Sequence, residues 1–390
     1  MDLIKGAADS MRSFLRLSCL QSLIWLFVGL PAAYATDGAP DISQPLSQLQ
    51  AIDSAAEASS SAAAWKQIAE ADVQQLPQVL AAIDGERALA ANWLRSAADA
   101  MFERAIAEGQ PLPVDELELF ISRTNHDPRA RRLAFEMLRK VEPQRAHRLV
   151  PDMLQDPSVE MRRESVAVRM DEAEQHQTSG QLEPAIAAYR QALDGARDED
   201  QVKQIAERLR GLDQELDLPR HFGFIQNWQL IAPFDNTARA GLEIAYPPES
   251  AIDLQSEYVG KDGPAGWQAY SGKDDFGMID FNQPFGPLKG VVGYAWTEFN
   301  SASEQQVELR LGSKNAWAMW VNGEKLFSRD EYHRGMQMDQ YRLQAKFKPG
   351  PNEILLKVCQ NEQVESWTVE WEFQLRVCNA SGTAILPVNP

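Results

Sequence analysis

The residues best suited to recognition chemistry in this sequence are tryptophans, and most of them lie in its second half. Of the ten tryptophans, seven follow residue 220. An indole face can stack on a sugar ring while polar groups at its edge hydrogen-bond the hydroxyls of that ring. The pattern therefore indicates carbohydrate binding, although large aromatic rings also fill the core of a β-sandwich. The seven are Trp228, Trp267, Trp296, Trp317, Trp320, Trp367 and Trp371.

Local spacing separates tryptophans expected in a core from those expected to face solvent. Trp228, Trp296 and Trp317 alternate with small or polar residues, as the core side chains of a strand do. Trp320 falls on the opposite side of its extended run from Met319. Trp267 and Tyr270 lie in a Gly- and Asp-rich stretch, and Trp367 lies on the connection before the last predicted strand. The candidate ligand-binding aromatic residues are Trp267, Tyr270, Trp320 and Trp367.

Loop carboxylates and amides are the second group of candidates. Asp235 and Asn236 follow the first predicted strand and could bind a polar ligand. With Asp262, Asp274 and Asp275 they also offer the oxygen ligands that calcium accepts. The sequence has no dense acidic run like that of an EF-hand loop, so these residues alternatively are solvated loop charges. We expect no cofactor beyond a structural calcium ion.

An arginine-rich stretch between residues 116 and 170 stands out in an acidic chain. Its guanidinium groups could recognise carboxylates or phosphates on a partner protein. The alternative is that they bridge to acidic residues on neighbouring helices. The candidate partner-binding residues are Arg129, Arg131, Arg132, Arg162 and Arg163.

Catalytic motifs are not found. The five histidines are scattered, and neither a His-Glu-x-x-His pair nor a Gly-x-Ser-x-Gly elbow nor a Walker loop occurs. We therefore expect no catalytic residues and no enzyme. Paired carboxylates of a glycan-active enzyme meet only in three dimensions, so that activity stays the weakest alternative.

The elements that must position these residues change type near residue 220. Up to Leu218 apolar residues recur three and four apart, which predicts helices. From Phe222 onward short alternating runs are broken by Gly, Pro, Asn and Asp, which predicts a two-sheet antiparallel sandwich. Asn322-Gly323 predicts a type I′ hairpin that pairs Val321 with Glu324. The sequence thus predicts a multidomain α + β protein.

The helical part contains an internal repeat. Asp127-Pro128 and Asp156-Pro157 each precede an arginine pair, with Asp as helix cap, Pro in the first turn and the arginines facing outward. This pattern predicts HEAT-like repeats over 65–178. Small residues around Tyr189 predict a hairpin over 179–218, at the spacing of half a tetratricopeptide (TPR) repeat. Together they predict an α-solenoid.

The N-terminus predicts export. A basic start and the apolar run Leu17–Leu30 precede Ala33-Tyr34-Ala35, so residues 1–35 are expected to be a cleaved signal peptide. No transmembrane segment is expected after cleavage, and the location is periplasmic or extracellular, in the cell envelope. Residues 36–64, rich in Ala and Ser, are predicted to be a flexible tether. The net charge of −18 disfavours a nucleic-acid partner.

Residues 222–388 resemble galactose-binding-like jelly-roll modules. The likeness lies in Trp228–Asn236, Leu311–Gly323 and Gly350–Val358. The helical part, through Asn92–Arg95 and Pro128–Phe135, is similar to bacterial HEAT-repeat proteins that carry such a module. The resemblance implies a jelly-roll fold and a sugar ligand. Its motifs are turn and core residues, so they specify a fold better than a ligand.

These observations predict an exported, non-catalytic binding or scaffold protein. Its helical repeats are expected to engage a protein partner, and its β-sandwich a polysaccharide. The principal alternative is a purely structural component of a cell-envelope assembly that binds no sugar.

Overall fold

A computed structural model describes residues 40–54, 57 and 61–388, and the predicted signal peptide 1–35 lies outside these residues. Helices occupy the first part of the described chain and antiparallel strands the second, which confirms the predicted change near residue 220. Among these residues, no helix has both the length and the apolar character that crossing a bilayer requires.

The helices between Ala62 and Phe222 follow one another with short connections, and one further helix lies among the strands. They are α1 (Ser43–Gln50), α2 (Ala62–Ala69), α3 (Leu76–Ala81), α4 (Ala88–Ala107), α5 (Val114–Ser122), α6 (Pro128–Val141), α7 (Pro143–Leu149), α8 (Val159–Thr178), α9 (Leu182–Gly195), α10 (Glu199–Arg210), α11 (Leu218–Phe222) and α12 (Asn282–Phe285). Short 3₁₀ segments lie at Val73–Gln75, Val150–Met153, Thr237–Leu242, Pro247–Glu249 and Ser366–Thr368.

Part of the predicted tether belongs to the helical core. Leu46 and Leu49 on α1, and Ile52 after it, are fully or almost fully buried against the following helices. Burial of these apolar side chains stabilises the segment, so the expectation of a flexible tether is wrong for residues 42–52. The Ala- and Ser-rich composition hid the few apolar residues that anchor it.

The two predicted repeat copies begin their helices differently. The Asp127 side chain accepts a hydrogen bond of 2.8 Å from the Arg129 amide and caps α6, as expected. At α8 the cap is Ser158, whose hydroxyl accepts from the Met161 amide. Asp156 instead accepts from the Ser158 amide at 2.8 Å and binds Arg131. The capping prediction is therefore confirmed for the first copy and wrong for the second.

The strands form two main sheets and a small ribbon. They are β1 (Asn227–Asp235), β2 (Glu257–Val259), β3 (Pro264–Gly266), β4 (Gln268–Ser271), β5 (Met278–Asp280), β6 (Val291–Ser301), β7 (Gln305–Ser313), β8 (Ala316–Val321), β9 (Glu324–Arg329), β10 (Tyr341–Phe347), β11 (Gly350–Gln360) and β12 (Glu372–Cys378). One sheet has the order β4-β1-β6-β11-β8-β9, the other β10-β7-β12-β5, and β2 pairs with β3.

An apolar core joins the inner faces of the two main sheets. Trp317 of β8 and Trp371 beside β12 are fully buried in it, and Trp228 of β1 is almost so. The core predictions for Trp228 and Trp317 are confirmed. The core prediction for Trp296 is wrong, because Trp296 lies on the outer face of the six-stranded sheet, where it packs with a different cluster of side chains.

The hairpin at Asn322-Gly323 forms with a positive φ at both residues, 52° and 80°, as a type I′ turn requires. Val321 faces Glu324, which confirms the predicted pairing. The register shifts between Met319 and Trp320. Met319 therefore pairs with Phe327, whereas a regular hairpin would pair it with Leu326.

The helical and sheet-forming parts meet in a mixed interface. Phe222 and Phe224 pack with the side chains of α8 to α11 in one apolar cluster. The Arg376 guanidinium on β12 donates to the Phe222 carbonyl at 3.1 Å, and Arg162 on α8 donates to the Ser381 carbonyl at 3.1 Å. The chain from Ile42 onward accordingly groups into one compact unit.

Candidate functional site

The outer face of the six-stranded sheet carries a row of side chains that continues from strand to strand. Because side chains alternate between faces, Trp296 on β6 lies between Gln229 on β1 and Leu355 on β11. Trp320 on β8 follows Leu355, and Lys325 on β9 ends the row. Trp296 and Trp320 are thus two strands apart, about 10 Å. Trp296 is half-buried, whereas Trp320 is 8% exposed.

A groove of about 380 Å³ opens beside Trp296. Its other outward-facing polar side chains are Asn227 and Gln229 of β1, Ser271 of β4 and Glu298 of β6. We call these five residues the Trp296 groove. The Ser271 hydroxyl donates to the Asn227 carbonyl oxygen Oδ1 at 2.8 Å, which fixes that amide. The size is typical of a small-molecule site.

The chemistry of the Trp296 groove suits a sugar ring. An indole face accepts the C–H face of a pyranose, and amide, hydroxyl and carboxylate groups around it can bond to hydroxyls. Sequence reasoning missed this residue because alternation shows which side chains share a face, but not which face is covered. Glu298, two residues further and on the same face, is the signal that this face reaches solvent.

The predicted aromatic ligand residues lie in different settings, and of the four it is Tyr270 that lines this groove. Tyr270 lines the groove wall and packs partly against the inner core. Burial raises the pKa of its phenol above the ordinary value. Trp267 is half-buried among the outer-face aromatic side chains, and Trp320 is almost covered. A stacking role at the surface is therefore wrong for Trp320, whose ring is covered by its neighbours.

Asp235 and Asn236 lie at one end of the sheets, where loops 236–241, 330–334 and 361–370 meet; we call this region the loop end. Asn236 is fully buried and donates to the Gln360 carbonyl at 2.9 Å and to the Tyr332 hydroxyl at 3.1 Å. It therefore organises the loops and cannot reach a ligand, which corrects the predicted role.

The Asp235 carboxylate is engaged in local contacts. It accepts from the Thr237 hydroxyl at 2.7 Å and lies 3.1 Å from the Lys261 ammonium. The Thr237 hydrogen bond, with that of Lys261, holds the pKa of Asp235 below its ordinary value. A lysine at this distance opposes calcium binding. Asp274 accepts a hydrogen bond from the Phe276 amide, and Asp275 forms an ion pair with Arg210.

Trp367 is the exposed aromatic residue of the loop end, with 58% of its surface accessible. Its ring meets the His333 ring edge-on at 5.7 Å, and the His333 Nε2 lies 2.8 Å from the Asn361 Oδ1. Ala238, Arg239 and His333 all adopt positive φ without being glycine. Such backbone strain concentrates at ligand clamps and switch regions, so the loop end is a second candidate surface.

Two of the predicted partner-binding arginines are buried. Arg131 and Arg162 are 1% and 4% exposed, so the expectation that they face outward is wrong. Arg131 binds Asp156, and Arg162 donates to the Asp156 carbonyl at 2.8 Å. Their charged heads lie between helices because carbonyl and carboxylate oxygens satisfy them there.

The other three arginines are at least partly accessible but form ion pairs. Arg132 reaches Glu164 on α8 at 3.0 Å, and Arg129 pairs with Asp127 at 2.9 Å. Arg163 binds Asp200, and that hydrogen bond raises the pKa of the guanidinium. Bridges between neighbouring helices are what the alternative interpretation predicts for Arg132 and Arg163.

Within the described part of the chain, no three His, Cys, Asp or Glu side chains are grouped so that they could hold a metal ion. A scan against protein-family models and a search of curated proteins find no match to this sequence. Function is therefore inferred from the two surfaces described above.

Proposed function

We propose that this protein is an exported, non-catalytic carbohydrate-binding protein whose ligand site is the Trp296 groove. The observation that supports it is a half-buried indole beside amide, hydroxyl and carboxylate side chains in a groove of about 380 Å³. A sugar ring stacks on Trp296 while its hydroxyls bond to Gln229 and Glu298. Stacking supplies affinity without demanding one stereochemistry, and the polar groups supply selectivity.

The proposed architecture follows the sequence resemblance. We take the helices as an α-solenoid of HEAT-like repeats with a TPR-like hairpin, and the sheets as a jelly roll of the galactose-binding-like type. The succession of packed helices from Ala62 to Phe222 and the two face-packed antiparallel sheets support this assignment. A cleaved signal peptide at 1–35 would direct the protein to the periplasm or the cell surface.

The helical repeats are proposed to hold a protein partner through residues other than the arginines. Leu119 on α5 and Leu182 on α9 are 51% and 52% exposed. Exposed leucines on helix surfaces can bury against a partner, whereas the arginine charges are already paired. Leu119→Ser is expected to lower partner binding and leave sugar binding unchanged.

A titration of the wild type and Trp296→Ala against the hits of a broad glycan array tests the proposed site. We expect at least about a tenfold loss of affinity, equivalent to about 1.4 kcal/mol, in the variant. Trp367→Ala removes an exposed tryptophan elsewhere and is expected to bind like the wild type. Because Trp296 is half-buried, Glu298→Gln provides a second, milder change at the groove rim. An array without hits contradicts the proposal.

One observation favours a protein contact as the second candidate function. Val364 and Val369 are 78% and 45% exposed on the loop that carries Trp367. Three apolar side chains on a strained loop end form a small docking patch for another envelope protein. Under this alternative, Trp367→Ser abolishes a stable complex, and sugar titrations of the wild type stay flat.

A further inference from the structure

The Trp296 groove continues past Glu298 instead of closing there. A second groove of about 330 Å³ shares Asn227 and Glu298 with it as lining residues. The lining of this second groove includes the apolar residues Ile225 and Leu386, together with Asn300. A ligand on Trp296 could therefore extend along the ends of β1 and β6 toward the C-terminal segment.

A third groove of about 350 Å³ adjoins the second and reaches the helical part of the protein. It shares Asp217, Arg220 and Leu386 with the second groove and adds Arg197 and His221. Arg220 and His221 lie on α11, and Arg197 follows α9. The three grooves thus lead from the sheet face to the junction between the helical and sheet-forming parts.

Arg220 supplies the available positive charge of this path. Among the residues that the structure describes, none forms an ion pair or hydrogen bond with its exposed guanidinium. The Arg197 guanidinium is occupied by the Asp194 and Ala196 carbonyls, at 2.6 and 2.8 Å. The His221 Nε2 lies 3.0 Å from the Ala196 carbonyl.

Three carboxylates line these grooves, and each accepts a hydrogen bond; the Glu298 carboxylate accepts from the Asn300 side chain at 3.3 Å. Asp217 accepts from the Arg220 backbone amide at 3.0 Å, and Asp194 accepts from the Gln155 side chain at 3.0 Å. Their repulsion of an anion is reduced but not removed, whereas the planar guanidinium of Arg220 can bind a carboxylate through two parallel hydrogen bonds. The path therefore offers an aromatic floor, an apolar strip with amides, and a free cation.

We propose that the three grooves form one cleft for a linear polysaccharide that carries carboxylate groups, with one sugar on Trp296 and a uronate at Arg220. This inference rests on the proposed sugar site and names its ligand class. Successive sugars present alternating C–H faces and hydroxyls. The C–H faces match Trp296 and the apolar pair Ile225 and Leu386, and the hydroxyls match the side-chain amides of Asn227 and Asn300. The helical part contributes directly to this ligand site through α11.

Calorimetric titration with a monosaccharide, a trisaccharide and a hexasaccharide, each in neutral and uronic-acid form, tests the cleft. We expect affinity to rise with chain length and the acidic hexasaccharide to bind most tightly. Arg220→Gln is expected to weaken that ligand about tenfold and to leave the neutral hexasaccharide unchanged, since one charge-assisted contact is lost. Arg123→Gln, an exposed arginine outside the cleft, is the matched control.

The outcomes separate the cleft from the sugar site itself. Binding that Trp296→Ala abolishes, with no dependence on chain length and no effect of Arg220→Gln, overturns the cleft and leaves the sugar site intact. Equal affinity for neutral and acidic hexasaccharides overturns the uronate assignment. If none of the sugars binds, both proposals fall. An unchanged melting temperature of Arg220→Gln shows that its effect is on binding.

Discussion

Arg131 and Asp156 form a buried two-point ion pair, with Nη1–Oδ1 and Nη2–Oδ2 distances of 2.7 and 2.6 Å. Both side chains are less than 5% exposed. The Arg131 Nε also donates to the Ile121 carbonyl at 2.8 Å, and Asp156 accepts from the Ser158 amide. One pair thus connects the end of α5, the first turn of α6 and the start of α8.

Arg131→Met is expected to lower the free energy of unfolding by about 3–5 kcal/mol, because Asp156 is left as an unpaired buried charge. Urea unfolding followed by far-UV circular dichroism measures the change. Arg129→Met, two residues earlier and largely exposed, is the control and is expected to cost less than about 1 kcal/mol. Equal losses in the two variants would show that burial does not set the strength of the pair.

Stability in acid should depend on Asp339, which lies between two arginines of the four-stranded sheet. Its carboxylate oxygens are 2.6 Å from the Arg376 Nε and 2.6 Å from the Arg310 Nη1. Burial alone would raise the pKa of Asp339, but the two guanidinium groups outweigh it and hold the pKa below the ordinary value. Arg376 also reaches the helical part through the Phe222 carbonyl.

The sign of the pH effect follows from this depressed pKa. Below about pH 4 the unfolded chain takes up the Asp339 proton before the folded chain does, so stability falls as pH falls. The contribution is present above the unfolded pKa and is lost as pH drops through the folded one. Asp339→Asn should therefore be less stable at neutral pH, and its free energy of unfolding should fall less steeply as the pH is lowered. Urea unfolding between pH 2 and 7 measures the free energy of unfolding at each pH. If this free energy falls equally with pH in the variant and the wild type, the prediction is contradicted.

Local chemistry predicted some of these features and could not predict others. The Asn322-Gly323 hairpin needs only residues that tolerate positive φ, so its turn and first pairing are visible in the sequence. The register shift beside Trp320 has no such signal in the local sequence. The Arg131–Asp156 pair similarly requires the relative placement of two helices, which a capping pattern does not contain.

The candidate site shows the same limit. Alternation placed Trp228 and Trp317 correctly in the core, but it assigned Trp296 to the core as well. Which side of a strand becomes the core depends on the second sheet and on the segment that crosses the outer face. That segment, residues 236–267, covers part of the outer face and leaves the area beside Trp296 open.

Gly293 on β6 is expected to tolerate no side chain. A Cβ atom there would lie 2.7 Å from a Phe281 ring atom and 2.8 Å from a Trp371 ring atom. These rings stack at 4.7 Å and are both fully buried, so they cannot yield freely. Gly293→Ala should destabilise the fold by about 1–3 kcal/mol through overpacking.

Gly266→Ala on β3 is the matched control for Gly293→Ala, because its added Cβ meets nothing within 4 Å. We expect its free energy of unfolding to stay within about 0.5 kcal/mol of the wild type. Near-UV circular dichroism should report disturbed tryptophan packing for Gly293→Ala alone. An unchanged spectrum with wild-type stability would mean that the sheets separate to admit the methyl group.

Lys357 anchors the segment that covers the outer face of the six-stranded sheet. Its fully buried ammonium donates to the Leu242 and Ile244 carbonyls, at 3.0 and 2.8 Å, and to Glu249 at 2.8 Å. Lys357→Met leaves Glu249 with the Tyr294 hydroxyl at 2.5 Å as its remaining partner. We expect a loss of about 3–5 kcal/mol, since one charge of a buried pair is removed.

Hydrogen exchange resolves where the Lys357→Met variant loosens. Amides between residues 236 and 256 should exchange faster, while those of β12 in the opposite sheet keep their protection, because the Lys357 ammonium donates its hydrogen bonds to the covering segment. Lys325→Met changes an exposed lysine on the same sheet face and should leave both regions unchanged. The double variant Lys357→Met/Glu249→Gln should recover part of the stability, since no buried charge is then left unpaired. Uniformly faster exchange in both sheets would instead mean that Lys357 supports the whole core, and the covering segment would not be its specific target.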